Sequence, residues 1–235
     1  MTQKLRIASR GSALALWQAN SVRDSLLAAG DGLEVVIDVV RTTGDRITDV
    51  PLAMIGDRGL FTKEIDSTVL GGEADLAVHS LKDVPTRIPE GLTLVAVTRR
   101  EDPRDVLICR AGDDASSLDS LRPGARVGTS SLRRRAQLRA LRPDVEVVDL
   151  RGNLNTRLDR LDDGTYDAIL LAAAGVIRLG WVDRVSEWLS PESWLPAVGQ
   201  GALAVVARAD DARTAERLAV LHDVDTGSAV AAERA

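Results

Sequence analysis

Aromatic residues are nearly missing. One Phe, one Tyr and four Trp amount to 3% of 235 residues, so any core must be built from Leu, Val, Ile and Ala. There is one cysteine, Cys109, which rules out an intrachain disulfide and a cysteine zinc cluster. That count fits a reducing compartment. Lysine is scarce as well: Lys4, Lys63 and Lys82 are the only three among 30 basic residues. Codon usage accounts for arginines in bulk, so position, not number, must carry any argument about particular ones. The net charge of −5 counts against a duplex nucleic-acid binder, whose domain is usually basic. The most apolar segment, AILLAAAGVI at 168–177, is far short of the ~20 residues a membrane span needs. The first residues, MTQKLRIASRGS, contain no apolar stretch of signal-peptide length. A soluble cytoplasmic protein with no membrane or nucleic-acid partner is expected, and no metal site is indicated.

Short β-branched runs alternate with helical patterns. LRIAS, EVVIDVV, ADLAVHS and LTLVAVT form a first series; DVLICR, RVGTS, EVVDL and YDAILLAAAG form a second. Such alternation predicts an α/β fold with largely parallel sheets. Two segments look like crossings between lobes, TRREDPRD at 98–105 and SPESWLPAVGQG at 190–201, after which ALAVVARA returns to the first lobe. Two lobes joined by a double crossover, with a cleft between them, follow. The expected division is 1–98 plus 197–218 for domain 1, 99–196 for domain 2, and 219–235 for the start of a third.

Candidate chemistry gathers at strand ends. In VGTSSLRRRAQLRALRP, Ser130 or Ser131 reads as a helix N-cap. At 100° per residue, Arg135, Arg139 and Arg142 share a solvated face. Arg133 and Arg134 fall on the arc of Ala136, Leu138, Ala140 and Leu141, which should face protein. First-turn cations oppose the helix dipole by a few tenths of a kcal/mol. An anion held by the free N–H groups with Thr129, Ser130 and Ser131 would reverse that sign.

Arg151 ends the strand EVVDL, Arg157 lies on the next helix, and Arg10 follows LRIAS beside Ser12. His79 to Asp83 follow ADLAV in the same way, bringing Lys82. Ligands of open α/β sheets bind at these carboxyl ends, and the planar guanidinium fork suits a carboxylate. Asp83 either pairs with Lys82 or, kept ionised among cations, stabilises a cation developing on a substrate. His79 reads as structural and Cys109 as a buried strand residue.

The segments RIASRGSALALWQA, GDRGLFTKEID, ADLAVHSLKDVPT, REDPRDVLI, VGTSSLRRRAQL, LRGNLNTRLDRLDDGTYDAILLAAAGVIRLG and LPAVGQGALAV resemble the porphobilinogen deaminase (hydroxymethylbilane synthase) family. The resemblance is collinear from residue 4 onward. It implies two lobes like those of type II periplasmic binding proteins, followed by a smaller third α/β domain that is mostly missing here. It also implies the reaction: four porphobilinogens lose ammonia and condense head to tail into hydroxymethylbilane, on the way to porphyrins and haem. A dipyrromethane cofactor, held by a thioether to a cysteine, is implied with it.

By resemblance Asp83 is the catalytic carboxylate, contacting pyrrole N–H groups and stabilising the azafulvenium-like cation left when ammonia departs. Arg10, Lys82, Arg133, Arg134, Arg151 and Arg157 bind acetate and propionate side chains. Ser12, Thr129, Ser130 and Ser131 add donors, and Arg178 and Gln200 line the cleft. Arg58 keeps a charge where the family has lysines in the loop before GLF, whereas Met54 does not. The sequence stops at GSAVAAERA, before the family's cysteine motif, and Cys109 lies in a different segment. The chain as written is therefore expected to lack the covalent anchor and to turn over little, if at all. A monomer is expected. The alternatives are a non-catalytic module binding anionic tetrapyrroles or other polycarboxylates, and a decayed paralogue.

Overall fold

A computed structural model describes residues 3–30, 32–42 and 62–235. In chain order the strands are β1 (Gln3–Ser9), β2 (Leu33–Val39), β3 (Leu76–Ser80), β4 (Leu92–Val97), β5 (Asp105–Cys109), β6 (Arg126–Gly128), β7 (Glu146–Val148), β8 (Ala168–Ala172), β9 (Glu187–Trp188) and β10 (Leu203–Arg208). The helices are α1 (Ala13–Ala29), α2 (Lys63–Leu70), α3 (Leu132–Leu141), α4 (Leu154–Asp162), α5 (Ala173–Arg178), α6 (Ala212–Leu218) and α7 (Val224–Arg234). No helix among the described residues is long and apolar enough to cross a membrane.

The chain divides into two compact units. Among the described residues, unit 1 holds those up to Glu101 together with Val198–Ala235, and unit 2 holds Asp102–Ala197. Unit 1 is a five-stranded sheet in the order β2-β1-β3-β10-β4; unit 2 repeats the plan as β7-β6-β8-β5-β9. In each, the strand that follows a crossing takes fourth place. β10 runs antiparallel to β3 and β4, and β5 antiparallel to β8 and β9. The sheets are thus mixed rather than largely parallel. A strand that arrives from a crossing, and not through a crossover helix, has no requirement to run parallel.

Each fourth strand is buried on both faces, which explains its unbroken apolar run. Along β10, Leu203, Val205 and Ala207 enter one core while Ala204 and Val206 enter the other. Along β5 and β8, Leu107, Ala168 and Leu170 face one side, and Val106, Ile108, Ile169 and Leu171 the opposite side. Each large aliphatic side chain buried this way contributes ~1.5–3 kcal/mol. These layers supply what the missing aromatics do not. Cys109 is buried at the end of β5, and burial pushes its thiol up from the usual value.

The sequence places 219–235 at the start of a third domain; in the structure these residues belong to unit 1. Asp223 caps α7 by accepting from the Thr226 amide, and Val230 enters the unit 1 core. Glu233 pairs with Arg100 and accepts from the Gly199 amide at 2.7 Å.

Where the chain leaves unit 1 and where it returns, the Glu101 amide donates to the Gly201 carbonyl at 3.1 Å. Gly201 has φ +95°, and a Cβ there would stand 2.3 Å from the Glu101 carbonyl oxygen. Only glycine permits both the backbone conformation and the approach. Gly201→Ala is expected to cost at least about 1–3 kcal/mol in a denaturant melt. A loss below half a kcal/mol would contradict this close fit.

Candidate active site

The pairing registers place most of the predicted residues along one edge of each sheet. In unit 1, β1 and β3 are parallel neighbours, so Arg10 and the turn Leu81–Asp83 leave from the same end. β10 is antiparallel, with Leu203 opposite Ser80, so its first residues reach that end too. Gln200, just before β10, is buried and accepts from the Lys82 ammonium at 3.2 Å, while its carbonyl accepts from Arg100 Nε at 2.7 Å. Ser12 caps α1, its hydroxyl accepting from the Ala15 amide. Arg10 is half-buried; Lys82 and Asp83 are exposed.

Asp83 takes part in no hydrogen bond or ion pair among the described residues, and Lys82 reaches Gln200. The bland reading of Asp83, a partner for Lys82, therefore has no support here. His79 is buried, and its Nε2 meets Oδ1 of the equally buried Asp66 at 2.9 Å. Arg58 and Met54 lie outside the described residues.

In unit 2 the same edge carries the ends of β6, β7 and β8 and the start of β5, with Asp105 opposite Ala172. Thr129 is buried, and its Oγ1 accepts from the Ser131 amide at 3.2 Å. Ser130 donates to the Leu150 carbonyl at 2.8 Å. Ser131 is the N-cap of α3, accepting from the Arg134 amide. Arg151 is buried after β7; Arg157 donates from Nε to the Gly152 carbonyl at 2.8 Å. Arg178, half-buried, ends α5 immediately beyond β8.

α3 turns inward only part of the arc that its periodicity suggests. Arg134 and Leu138 are buried, whereas Ala136, Ala140 and Leu141 are exposed. Of the expected solvated face, only Arg139 is fully exposed. Arg135 pairs with Asp149. Arg142 donates to the carbonyls of Leu118, Asp119 and Leu121 as well as to Asp144, tying down a loop.

The partner that holds Arg133 and Arg134 on this side is a residue that sequence reasoning passed over. Asp105, with no exposed surface, receives Arg134 Nη2 on Oδ1 at 2.7 Å and Arg133 Nη2 on Oδ2 at 2.7 Å. The Trp194 indole N–H adds a third donor at 2.8 Å. Arg134 also donates to the Leu170 carbonyl at 2.9 Å, and Arg133 to that of Leu195. Leu195 is further held by reciprocal bonds with the Gln137 amide, 2.7 and 3.1 Å. The one available signal was an acidic residue opening an otherwise apolar strand, DVLIC. Burial alone would push the Asp105 carboxyl up; the charge and hydrogen bond of Arg134, with Arg133 and Trp194, outweigh it and hold the group well below the usual carboxylate range. Burial lowers the Arg133 guanidinium from its usual value, partly offset by Asp105.

Two guanidiniums around one carboxylate leave an excess positive charge at this edge. In unit 1, Arg10 and Lys82 stand at the corresponding strand ends, so each unit is an α/β sheet with cations at the edge where open α/β sheets take ligands. Among solved structures the chain is similar to the methionine-binding protein MetQ, with TM-score 0.55 and 12% identity over 98% of this chain and 94% of that one. It is also similar to the periplasmic VFT2 domain of BvgS from Bordetella pertussis, with TM-score 0.54 and 16% identity over 98% and 92%. These identities establish the fold: two lobes of the periplasmic-binding-protein kind.

The particular family follows from closer relatives. The family profile described as "Porphobilinogen deaminase, dipyromethane cofactor binding domain" matches residues 5–216. The curated porphobilinogen deaminase of Syntrophobacter fumaroxidans is 54% identical over 230 residues, 98% of this chain and 74% of that protein. That of Chlorobaculum tepidum is 51% identical over 235 residues, 100% of this chain and 74% of that protein. The chain belongs to the porphobilinogen deaminase family, a family of transferases, and carries its dipyrromethane-binding domain.

Asp105→Ala leaves two guanidiniums with no counter-charge and should cost about 3–5 kcal/mol of stability. The folded-state pKa of Asp105 is depressed, so its contribution is complete above the unfolded carboxylate pKa of ~3.9 and is lost as pH falls through the lower folded value. Urea melts of wild type and Asp105→Ala should therefore differ by a constant amount from pH 7 to 5. Their difference should shrink only below about pH 4. A gap that closes between pH 7 and 5 would contradict the pairing.

Proposed function

We propose that the chain supplies the dipyrromethane- and substrate-binding lobes for the condensation of four porphobilinogens, head to tail, into hydroxymethylbilane with release of ammonia. Asp83 is read as the catalytic carboxylate. It is exposed at the end of β3 beside Lys82, and it makes no bond to a described residue that would have to break before substrate is met. The pyrrole N–H of porphobilinogen donates to this carboxylate. As the aminomethyl nitrogen leaves as ammonia, positive charge develops on the pyrrole, and a fixed negative group beside it lowers that barrier.

Arg10, Lys82, Ser12 and Gln200 in unit 1 are read as holding substrate carboxylates, with Arg58 in the same role. Thr129, Ser130, Ser131, Arg133, Arg134, Arg151, Arg157 and Arg178 are read likewise in unit 2. Guanidinium forks grip carboxylates with two charge-assisted hydrogen bonds each. The donor set suits a dipyrromethane with acidic side chains, being cationic and hydroxyl-bearing; Arg134 Nε is also buried without an acceptor. When bound, that group supplies the free α-carbon at which the first porphobilinogen is joined. The cytoplasm, a monomeric working form, and no nucleic-acid or membrane partner belong to the same reading, in keeping with the net charge of −5. The non-catalytic alternative is disfavoured by identities above half to curated deaminases.

The single observation behind the proposal is the unpaired, exposed Asp83 at a cation-bearing strand edge. Asp83→Ala in the cofactor-loaded holoenzyme should lower kcat on the order of 10²–10³-fold, with a much smaller effect on KM. Product is measured as uroporphyrin after oxidation. Retention of more than a tenth of the wild-type rate would remove Asp83 from this role.

A further inference from the structure

We propose that Asp105 is a positioning residue for carboxylate binding by unit 2: it fixes the guanidinium of Arg133 in one orientation while contacting no ligand itself. The inference rests on the reading of unit 2 as a carboxylate-binding edge. Asp105 has no surface open to a ligand. Its Oδ2 takes Arg133 and its Oδ1 takes Arg134, so one planar carboxylate sets the orientation of both. Trp194, itself buried, donates to the same Oδ2 and fixes the carboxylate plane. The Leu195 carbonyl takes Nη1 of Arg133, and Gln137 clamps Leu195 from both its amide and its carbonyl.

Arg133 therefore has two of its five N–H donors committed through Nη1 and Nη2, and the others have no acceptor among the described residues. A quarter of its side chain remains exposed. Arg134, by contrast, is nine-tenths buried with both terminal nitrogens engaged. Arg134 keeps only its buried Nε for a ligand, so Arg133 is the more presented of the pair. A guanidinium held rigidly binds an anion with less loss of rotamer freedom than one that must be ordered on contact.

The sign of one substitution separates positioning from a simple field effect. Asp105→Asn removes a negative charge from beside the site. If Asp105 acts only through its field, the variant must bind anions more tightly. If it positions Arg133, the variant must bind them more weakly despite the added positive charge. The amide has one acceptor oxygen and turns N–H groups toward the second guanidinium.

Two readouts apply: equilibrium binding of uroporphyrin I, an octacarboxylate, followed by its fluorescence, and KM for porphobilinogen in the holoenzyme. The expected result for Asp105→Asn is roughly tenfold weaker uroporphyrin binding and a comparable rise in KM, with kcat changed much less. Trp194→Phe keeps every charge and serves if Asp105→Asn does not fold; it should weaken binding about threefold or more. Binding by Asp105→Asn equal to or tighter than wild type overturns positioning while leaving the carboxylate-binding reading intact. With Asp105→Asn unfolded, unchanged binding by a folded Trp194→Phe overturns it too. Failure of the wild type to bind uroporphyrin overturns the underlying reading, and this inference with it.

Discussion

A buried carboxylate shared by two arginines governs unit 2. Asp105 at the start of β5 cannot be solvated, and Arg133, Arg134 and Trp194 converge on its charge and stabilise it. A charge moved out of water costs several kcal/mol unless its partners are well placed. The network therefore ties the first turn of α3 to β5 and to the loop bearing Trp194 and Leu195. The opposition of first-turn cations to the helix dipole disappears as a puzzle once their counter-ion is seen. Asp105 neutralises one of the two charges, and the remaining one sits at the strand-end edge where an anion is expected.

The shared topology explains why cations collect there in both units. Each unit places the carboxyl ends of four strands that run one way and the amino end of the one strand that runs against them along a single edge. Gln200 and Asp105 come from the antiparallel strands' ends, and Arg10, Lys82, Thr129 and Arg151 from the parallel ones. The crossings feed those antiparallel strands directly.

Much of this was legible before any coordinates. Alternating β-branched and amphipathic runs announced an α/β protein, and strand ends could be picked out from where each apolar run stopped. That put Arg10, Lys82, Asp83 and the 129–131 hydroxyls at strand termini, where the structure has them. Helical spacing alone could not fix the inward arc of α3. It put Arg134 and Leu138 on the inward side, where the structure has them, but with them Ala136, Ala140 and Leu141, which are exposed, and it could not name Asp105 as the partner of Arg134. Periodicity carries no information about a partner 29 positions away. The antiparallel run of β5 and β10 was hidden for a similar reason, because pairing direction is a property of two segments and not of one.

The interrupted order of unit 1 has a consequence for biogenesis. Every strand of unit 2 lies between Asp105 and Trp188, so that sheet can zip up as one contiguous stretch. The other sheet holds β4 apart from β3 by a gap that only β10 fills, more than a hundred residues after β4 emerges from the ribosome. Until then two naked sheet edges face solvent, the condition under which nascent chains stick to one another or recruit chaperones. The second lobe to begin synthesis is thus the first able to finish folding.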